Sequence, residues 1–264
     1  MLTEVKNHIK VMLLSVKYNI MKEMTNPVTF ITKIVFMILN NSCFIVQWLI
    51  LFSLKDNVGG YGFKDVMLLW GLSASTYGLA RIFFASAFDL PTLITNGKLD
   101  SYLVQPKNVL LSVITSSTKI SAIGDVIYGY IVLLLCTRGI YEILIFTIFS
   151  ITGAIITTCV AIIFGSMSFF FTRNELLADS VNDMMIHFST YPENIFNGFV
   201  KILFYTILPI AIVAYLPIKV ILAFNLSTFL IIIGFTCLMI FLSFIIFNTG
   251  LKRYTSSNLM MSKI

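Results

Sequence analysis

Two long stretches without any charged residue constrain this chain more than any other feature. Residues 143–171 and 226–251 contain no Asp, Glu, Lys or Arg, and about 20 consecutive apolar residues suffice for a helix to cross a bilayer. Over the whole chain 58% of the residues are hydrophobic and 11% are charged, whereas about 25% of the residues of a soluble domain are charged. The sequence therefore excludes a water-soluble protein and predicts an all-α integral membrane protein.

Three further apolar stretches are long enough to span a membrane. They cover residues 28–54, 65–88 and 112–137, and a glycine-containing turn at 55–64 separates the first two. With the two uncharged stretches they give five predicted spans. Within the second span, the small residues in Gly71/Ser75 and Ala74/Gly78 are typical of a face on which another helix packs closely.

The region between the fourth and the last of these spans admits two interpretations. Residues 173–191 form an amphipathic pattern, and residues 202–218 are apolar but interrupted by Pro209 and Pro217. Either the amphipathic segment crosses among other helices while the proline-containing segment dips back into the outer leaflet, or the amphipathic segment lies on the inner surface and the proline-containing one crosses. Each interpretation predicts a domain of six spans over residues 27–251.

The first 26 residues predict an amphipathic helix at the membrane interface. Apolar residues recur there every three or four positions with lysines between them. The first long apolar run starts only at Val28 and lacks a small-residue cleavage pattern, so we expect no cleavage. Pro27 suits the break between this helix and the first span. Residues 252–264 form a polar tail.

The basic residues near the spans predict the orientation. With the N-terminus inside, ten basic residues lie in inner segments and four in short outer loops, which favours both termini in the cytoplasm. The inner ones are Lys6, Lys10, Lys17, Lys22, Lys98, Lys107, Arg173, Lys252, Arg253 and Lys263, and the outer ones are Lys55, Lys64, Arg138 and Lys219. The formal net charge of +6 is best explained by orientation and by contact with anionic membrane lipid, not by nucleic-acid binding.

No motif for catalysis, metal binding or nucleotide hydrolysis is found. The two histidines, His8 and His187, are not in a metalloprotease spacing, and Gly97-Lys98 lacks the rest of a phosphate-binding loop. The four cysteines occur singly within apolar runs, without the spacing of a metal site or a disulfide framework. We expect this chain to be no enzyme and to bind no cofactor. Energy would therefore come from a partner or from an ion gradient, or no energy input would be used.

The segment Gly97-Lys98-Leu99-Asp100-Ser101-Tyr102-Leu103-Val104-Gln105-Pro106 is the most specific pattern in the sequence. It resembles the cytoplasmic loop of one branch of the ABC-2 type permeases, which show Gly-x-Leu-Asp-x-Tyr-Leu-x-x-Pro after their second span. Tyr191-Pro192, the isolated Pro209 and Tyr215-Leu216-Pro217 are similar to that branch as well. With the basic N-terminal helix and the layout of the spans, the resemblance covers most of the chain.

The resemblance implies one half of an ABC exporter, in which two permease subunits, identical or paralogous, associate with two cytoplasmic ATPase subunits that bind ATP and Mg. Residues 89–111 would be the segment that couples to the ATPase, although a loop that merely reverses the chain is the alternative. The residues implied in coupling are Leu93, Gly97, Leu99, Asp100, Tyr102, Leu103 and Pro106. The resemblance also favours a crossing by residues 173–191, with residues 192–220 as an outer re-entrant gate bent at Pro192, Pro209 and Pro217.

Four titratable residues recur at four-residue steps in the amphipathic segment: Glu175, Asp179, Asp183 and His187. They form one stripe on a helix. Acidic groups are costly in contact with lipid, so a crossing helix would turn this stripe toward a water-filled cavity, which would favour a cationic or amphipathic cargo. The alternative is an interfacial helix whose acids face the cytoplasm.

Arg81 and Asp125 are the remaining candidates for charges inside the membrane. Both would lie at similar depth in neighbouring spans, where an ion pair would neutralise them. Alternatively, Arg81 extends to the inner interface.

The sequence thus predicts the permease subunit of a bacterial ABC exporter in the plasma membrane. The cargo would be hydrophobic or cationic and amphipathic, such as a drug, a peptide antibiotic or a lipid, and efflux would confer resistance to it. A gradient-driven secondary transporter and a non-transporting assembly factor are the alternatives. The bacterial source is suggested by the abundance of Ile, Asn, Lys and Phe.

Overall fold

A computed structural model describes residues 2–137, 139–171 and 174–254. Four helices in this part of the chain are long and apolar enough to cross a membrane: α2 (Pro27–Leu54), α3 (Phe63–Phe83), α9 (Ile140–Ser166, continued by a 3₁₀ turn at Met167–Phe169) and α13 (Leu226–Leu251). The helix α8 (Ser121–Cys136) is apolar but shorter. No strand occurs among the described residues. The prediction of an all-α membrane protein is confirmed; the number of six spans stays a prediction.

Helix α1 (Leu2–Glu23) precedes the bundle, as the amphipathic pattern predicts. Its connection to α2 turns at Asn26, whose side chain accepts a hydrogen bond from the Thr29 amide at 3.2 Å and so caps α2. Pro27 occupies the first helical position, where its missing N–H costs nothing. The salt bridge between Lys33 and Glu23 joins the two helices.

The centre of the bundle is formed by α3 and α9. In the most apolar 18-residue stretches of these two helices, 72% and 67% of the residues are buried, whereas the corresponding shares are 11% in α2 and 22% in α13. Helices α2 and α13 therefore lie at the periphery. Small residues explain how closely α3 and α8 pack. A Cβ atom on Gly78 would lie 2.9 Å from the Ala122 carbonyl oxygen, and one on Gly129 would overlap the Gly71 carbonyl and the Ser75 hydroxyl.

Residues 84–120 form a structured connection, and the end of the bundle that carries it is called the loop end here. It contains the short helices α4 (Ala85–Phe88), α5 (Leu90–Thr95), α6 (Asp100–Leu103) and α7 (Val109–Ile114). The predicted boundaries of spans two and three, 65–88 and 112–137, are therefore wrong at this end. Helix α3 breaks at Phe84, and the hydroxyls of Thr115 and Ser116 bond to nearby carbonyl oxygens before α8 begins.

The opposite end carries the turn at residues 55–62 and is called the turn end. Helix α10 (Glu175–Ser189) starts at the loop end, where the Thr95 hydroxyl donates to the Glu175 carboxylate at 2.8 Å. The 3₁₀ turn Glu193–Ile195 lies at the turn end, where the Asn194 side chain donates to the Gly59 carbonyl at 2.8 Å. Residues 175–194 thus connect the two ends of the bundle.

The proline-containing region is not one helix. It consists of α11 (Phe199–Tyr205), a π-helical turn at Ala211–Tyr215 and α12 (Leu216–Leu222). The break falls between Thr206 and Pro209, because proline lacks the amide needed to continue α11. Side chains of α11 and of α12 both contact Glu193, so this region forms a hairpin at the turn end. We call it the turn-end hairpin (residues 196–222).

Some predicted features fall on residues outside the described part of the chain. They include Arg138, Arg173 and the tail from residue 255 onward, which contains Lys263.

Candidate functional site: a cavity, a stripe of acids and a loop-end segment

A cavity of about 310 Å³ lies between α2, α3, α8 and α10. Its size is at the small end of the range of roughly 300–1,000 Å³ that is usual for ligand pockets. Polar, charged and aromatic residues of all four helices and of the segments that adjoin α8 and α10 line it: Asn40, Asn41, Phe44, Trp70, Ser73, Tyr77, Arg81, Lys119, Ser121, Asp125, His187, Thr190 and Tyr191. Such a mixture of groups is suited to an amphipathic molecule.

The most buried charged group of the cavity is Asp125. Its Oδ1 accepts a hydrogen bond from the Asn41 amide at 2.7 Å, and the two residues are 7% and 6% exposed. Gly124 makes this contact between α8 and α2 feasible, because a Cβ atom there would lie 2.6 Å from the Ile34 carbonyl oxygen. Within the described residues, Oδ2 of Asp125 has no hydrogen-bond partner, so one carboxylate oxygen is available to a ligand.

Arg81 and Asp125 line the same cavity but do not form an ion pair. No N···O distance between them is 4.0 Å or less, so Asp125 has Asn41 as its partner instead. The Arg81 guanidinium carbon lies 4.8 Å from the centre of the Phe88 ring, a cation–π contact. The structure thus brings the two charges to one site without an ion pair between them.

The middle of the stripe of titratable residues on α10 is exposed, and its two ends contact the rest of the bundle. Asp179, Asp183 and His187 are exposed, whereas Ala178, Val181, Asn182, Met185 and Ser189 of the same helix are buried against the other helices. Glu175 bonds to Thr95, and of the four residues His187 alone lines the cavity. The stripe and the cavity are therefore separate features, joined at His187.

The loop-end segment predicted to couple to an ATPase, residues 89–111, is anchored on one face and exposed on the other. Leu99 is fully buried and belongs to the apolar cluster that includes Phe169 and Phe247, at the loop ends of α9 and α13. Gly97 has a φ of +67°, which suits glycine, and it ends the turn after α5. Leu93 and Tyr102 are half-buried against the same cluster, while Leu103 and Pro106 are exposed.

Asp100 lies near Tyr254, which follows the end of α13. Burial, together with the neighbouring Asp100 carboxylate, raises the pKa of Tyr254 to about 12. The phenol therefore stays protonated at neutral pH and can donate. The segment is thus attached to the bundle by apolar packing, and Asp100 lies near Tyr254 at its edge.

Glu193 holds the turn-end hairpin. Its side chain is 4% exposed; Oε2 lies 2.5 Å from the Lys219 Nζ, and Oε1 lies 3.2 Å from the Lys201 Nζ and accepts from the Tyr205 hydroxyl at 2.7 Å. Burial by itself raises the pKa of a carboxyl, but these hydrogen bonds hold the pKa of Glu193 below its ordinary value of 4.5. Both limbs of the hairpin are therefore tied to one carboxylate.

The three prolines predicted to bend a gate lie in or next to this hairpin. Pro192 precedes Glu193, Pro209 precedes the π-helical turn, and Pro217 is in the first turn of α12.

Sequence reasoning missed most of the residues that line the cavity and the one that ties the turn-end hairpin; Asn41, Trp70, Lys119 and Glu193 are the main examples. The signal for Asn41 was present, since Asn40-Asn41 interrupts an apolar span, where polar residues are rare. Glu193 follows Pro192 in an otherwise apolar neighbourhood. For Trp70 no pattern distinguishes a cavity wall from the core.

Comparison with curated proteins found no match, and comparison with solved structures found none either. Comparison with models of protein families found a match over residues 16–258 to the family described as ABC-2 family transporter protein. This match covers nearly the whole chain, including all the long apolar helices. The chain belongs to the ABC-2 family of transporter proteins.

Proposed function

We propose that this chain is the permease subunit of an ATP-driven exporter in a bacterial plasma membrane. Membership of the ABC-2 family gives a membrane subunit of an ABC transporter, which works with ATPase partners. ATP and Mg would bind to those partners, and no cofactor to this chain. Export, the cargo and the arrangement of two permease subunits, identical or paralogous, are parts of the proposal.

The main support for the proposal is that the loop-end segment has one face buried in the bundle and one exposed apolar face. Leu103 and Val104 are 43% and 83% exposed although both are apolar, while Leu99 one turn earlier is fully buried in the bundle. Exposed apolar side chains beside a rigid anchor are suited to a protein partner. Force that a partner exerts at Leu103 would be transmitted through the buried Leu99 to α9 and α13. These helices would then move as rigid elements.

Membrane orientation supports a partner at this end. The bias of basic residues toward these segments predicts that the loop end and both termini lie in the cytoplasm, where ATP is available. The peripheral helices α2 and α13 expose apolar faces to lipid or to a second permease subunit.

We propose a hydrophobic or cationic amphipathic cargo, such as a drug, a peptide antibiotic or a lipid. The exposed acids Asp179 and Asp183 support a cationic group, because beside a second subunit they would line a path between the two copies. Replacing both residues by Asn removes this charge, and we expect loss of resistance to cationic amphipathic compounds with unchanged assembly. The turn-end hairpin would close this path on the outer side.

The loop-end segment is tested by making its exposed face polar. We expect Leu103→Asp/Val104→Asp to reduce co-purification of the partner ATPase and its stimulated hydrolysis by at least about tenfold, because the few hot-spot residues of an interface each contribute about 2 kcal/mol or more. Met24→Asp, an exposed apolar residue outside the segment, is the matched control. Leu99 is unsuitable for this test because its replacement would disturb the buried cluster.

Unchanged association and hydrolysis in the double variant would contradict the proposal. Uphill transport by the permease without any ATPase would instead establish a gradient-driven carrier. Normal ATPase binding without transport of any compound would favour an assembly factor.

A further inference from the structure

Two basic residues are neighbours at the loop end of the cavity. The Lys119 amide donates to the Arg81 carbonyl oxygen at 3.0 Å, which places these residues next to each other. Both side chains line the cavity, and neither makes a hydrogen bond or an ion pair with any described residue. Like charges at such a site repel, and an anion between them would remove that cost.

The far end of the same cavity is apolar and aromatic. The rings of Phe44 and Trp70 stack there with centroids 4.5 Å apart, and Tyr191 lines the cavity nearby. Trp70 precedes Arg81 by 11 positions on α3, which corresponds to about 16 Å along a helix. The cavity therefore has a cationic end near the interface and an apolar end deeper in the bundle.

The charges of the lining favour an anion over a cation. Among the residues that line the cavity, Arg81 and Lys119 contribute +2 and Asp125 contributes −1, a formal sum of +1, while Asp89 lies near Lys119 and Asp179 near Arg81 outside the lining. A cationic headgroup would meet both basic side chains, whereas a phosphate could accept from the guanidinium and the ammonium together. Asp125 could meanwhile accept from a hydroxyl of the headgroup through its Oδ2.

We propose that this cavity binds a phosphate-bearing membrane amphiphile, with the phosphate between Arg81 and Lys119 and the start of its apolar chain against Phe44 and Trp70. This site is distinct from the cargo path proposed along Asp179 and Asp183. It rests on the membrane location of the chain and is independent of the export proposal.

The full-length protein in neutral maltoside detergent tests this site without any ATPase. In a Trp48→Phe background Trp70 is the single tryptophan, so its fluorescence reports on the cavity. The probes are dioctanoyl phosphatidic acid, inorganic phosphate, dioctanoylglycerol and dodecyltrimethylammonium. We expect saturable binding of the phosphatidic acid, and binding at least about tenfold weaker for the other three.

Substitutions identify the groups that bind. Arg81→Gln and Lys119→Gln should each weaken phosphatidic acid binding by about tenfold, as loss of a charge-assisted hydrogen bond would. Arg81→Lys should retain most of it, which separates charge from folding. Asp125→Asn should bind as tightly as the parent or more tightly. Lys107→Gln, an exposed loop-end lysine outside the cavity, is the matched control.

Equal binding by the parent and the Arg81→Gln/Lys119→Gln variant would overturn the proposal. So would preference for the ammonium amphiphile with loss of that binding in Asp125→Asn. Inorganic phosphate binding as tightly as phosphatidic acid would overturn the amphiphile and leave a free-anion site. Because no ATPase takes part, these outcomes are separate from a failure of the coupling experiment.

Discussion

Single glycines determine how close the central helices come. Gly129 on α8 faces the Gly71 carbonyl oxygen and the Ser75 hydroxyl of α3, with no space for a Cβ atom. Two backbones can approach this closely only where side chains are absent or small. The small-residue pair Gly71/Ser75 of the second span thus packs against Gly129, which no sequence pattern distinguishes.

We expect Gly129→Ala to lower the stability of the purified protein by roughly 1–3 kcal/mol, because the added methyl group must push the two backbones apart. The midpoint of thermal unfolding in detergent measures this effect. Gly234→Ala on α13 is the control, since its Cβ atom meets no atom within 4 Å. Equal losses in the two variants would show that the close approach of α3 and α8 is not what the glycine provides.

At the scale of elements, a single carboxylate organises the turn-end hairpin. Glu193 bonds to Lys201 and Tyr205 from α11 and to Lys219 from α12. Removing a charge from such a buried cluster leaves partners unsatisfied, which costs more than the loss of one surface pair.

We expect Glu193→Gln to raise backbone hydrogen exchange at least about tenfold across residues 196–222 and to leave α3 and α9 unchanged. Asp56→Asn, an exposed acid at the same end, is the control.

The same carboxylate predicts a pH dependence. The folded state lowers the pKa of Glu193, so its stabilisation is complete above pH 4.5 and is lost as the pH falls below that value. On acidification the protection factors of residues 196–222, which correct for the slower intrinsic exchange at low pH, should therefore fall in the parent protein and should not change further in the Gln variant. If residues 196–222 exchange at the same rate in the parent and in Glu193→Gln, Glu193 does not hold the turn-end hairpin.

At the scale of the whole molecule, the two ends of the bundle should lie on opposite sides of the membrane. Asn57 is exposed at the turn end and Asn96 at the loop end. In a variant without the four native cysteines, we expect Asn57→Cys in intact cells to react with a membrane-impermeant maleimide. Asn96→Cys should react only after the membrane is broken. The reverse pattern would contradict the orientation predicted from the basic residues, and labelling of both would contradict the assignment of opposite sides.

The sequence by itself determined that this chain lies in a membrane, since a stretch such as residues 226–251 is stable only as a helix in lipid or in a core of comparable size. It also placed the ends of α13 correctly, because the apolar run has sharp boundaries there. It located the loop-end segment through residues 97–106, but it did not distinguish the buried Leu99 from the exposed Leu103. Those are both leucines in one short helical region, and burial depends on what packs against them.

Only the tertiary structure decided which charged groups meet. Asp125 pairs with Asn41, which lies 84 positions away in the sequence, and Arg81 lies next to Lys119, not against Asp125. The acid stripe of α10 has a regular period, which sets its face on the helix but not the direction in which that face points. Periodicity is a property of one helix, whereas the cavity and its charges arise from four helices packed together, and that packing decides which polar groups share a site.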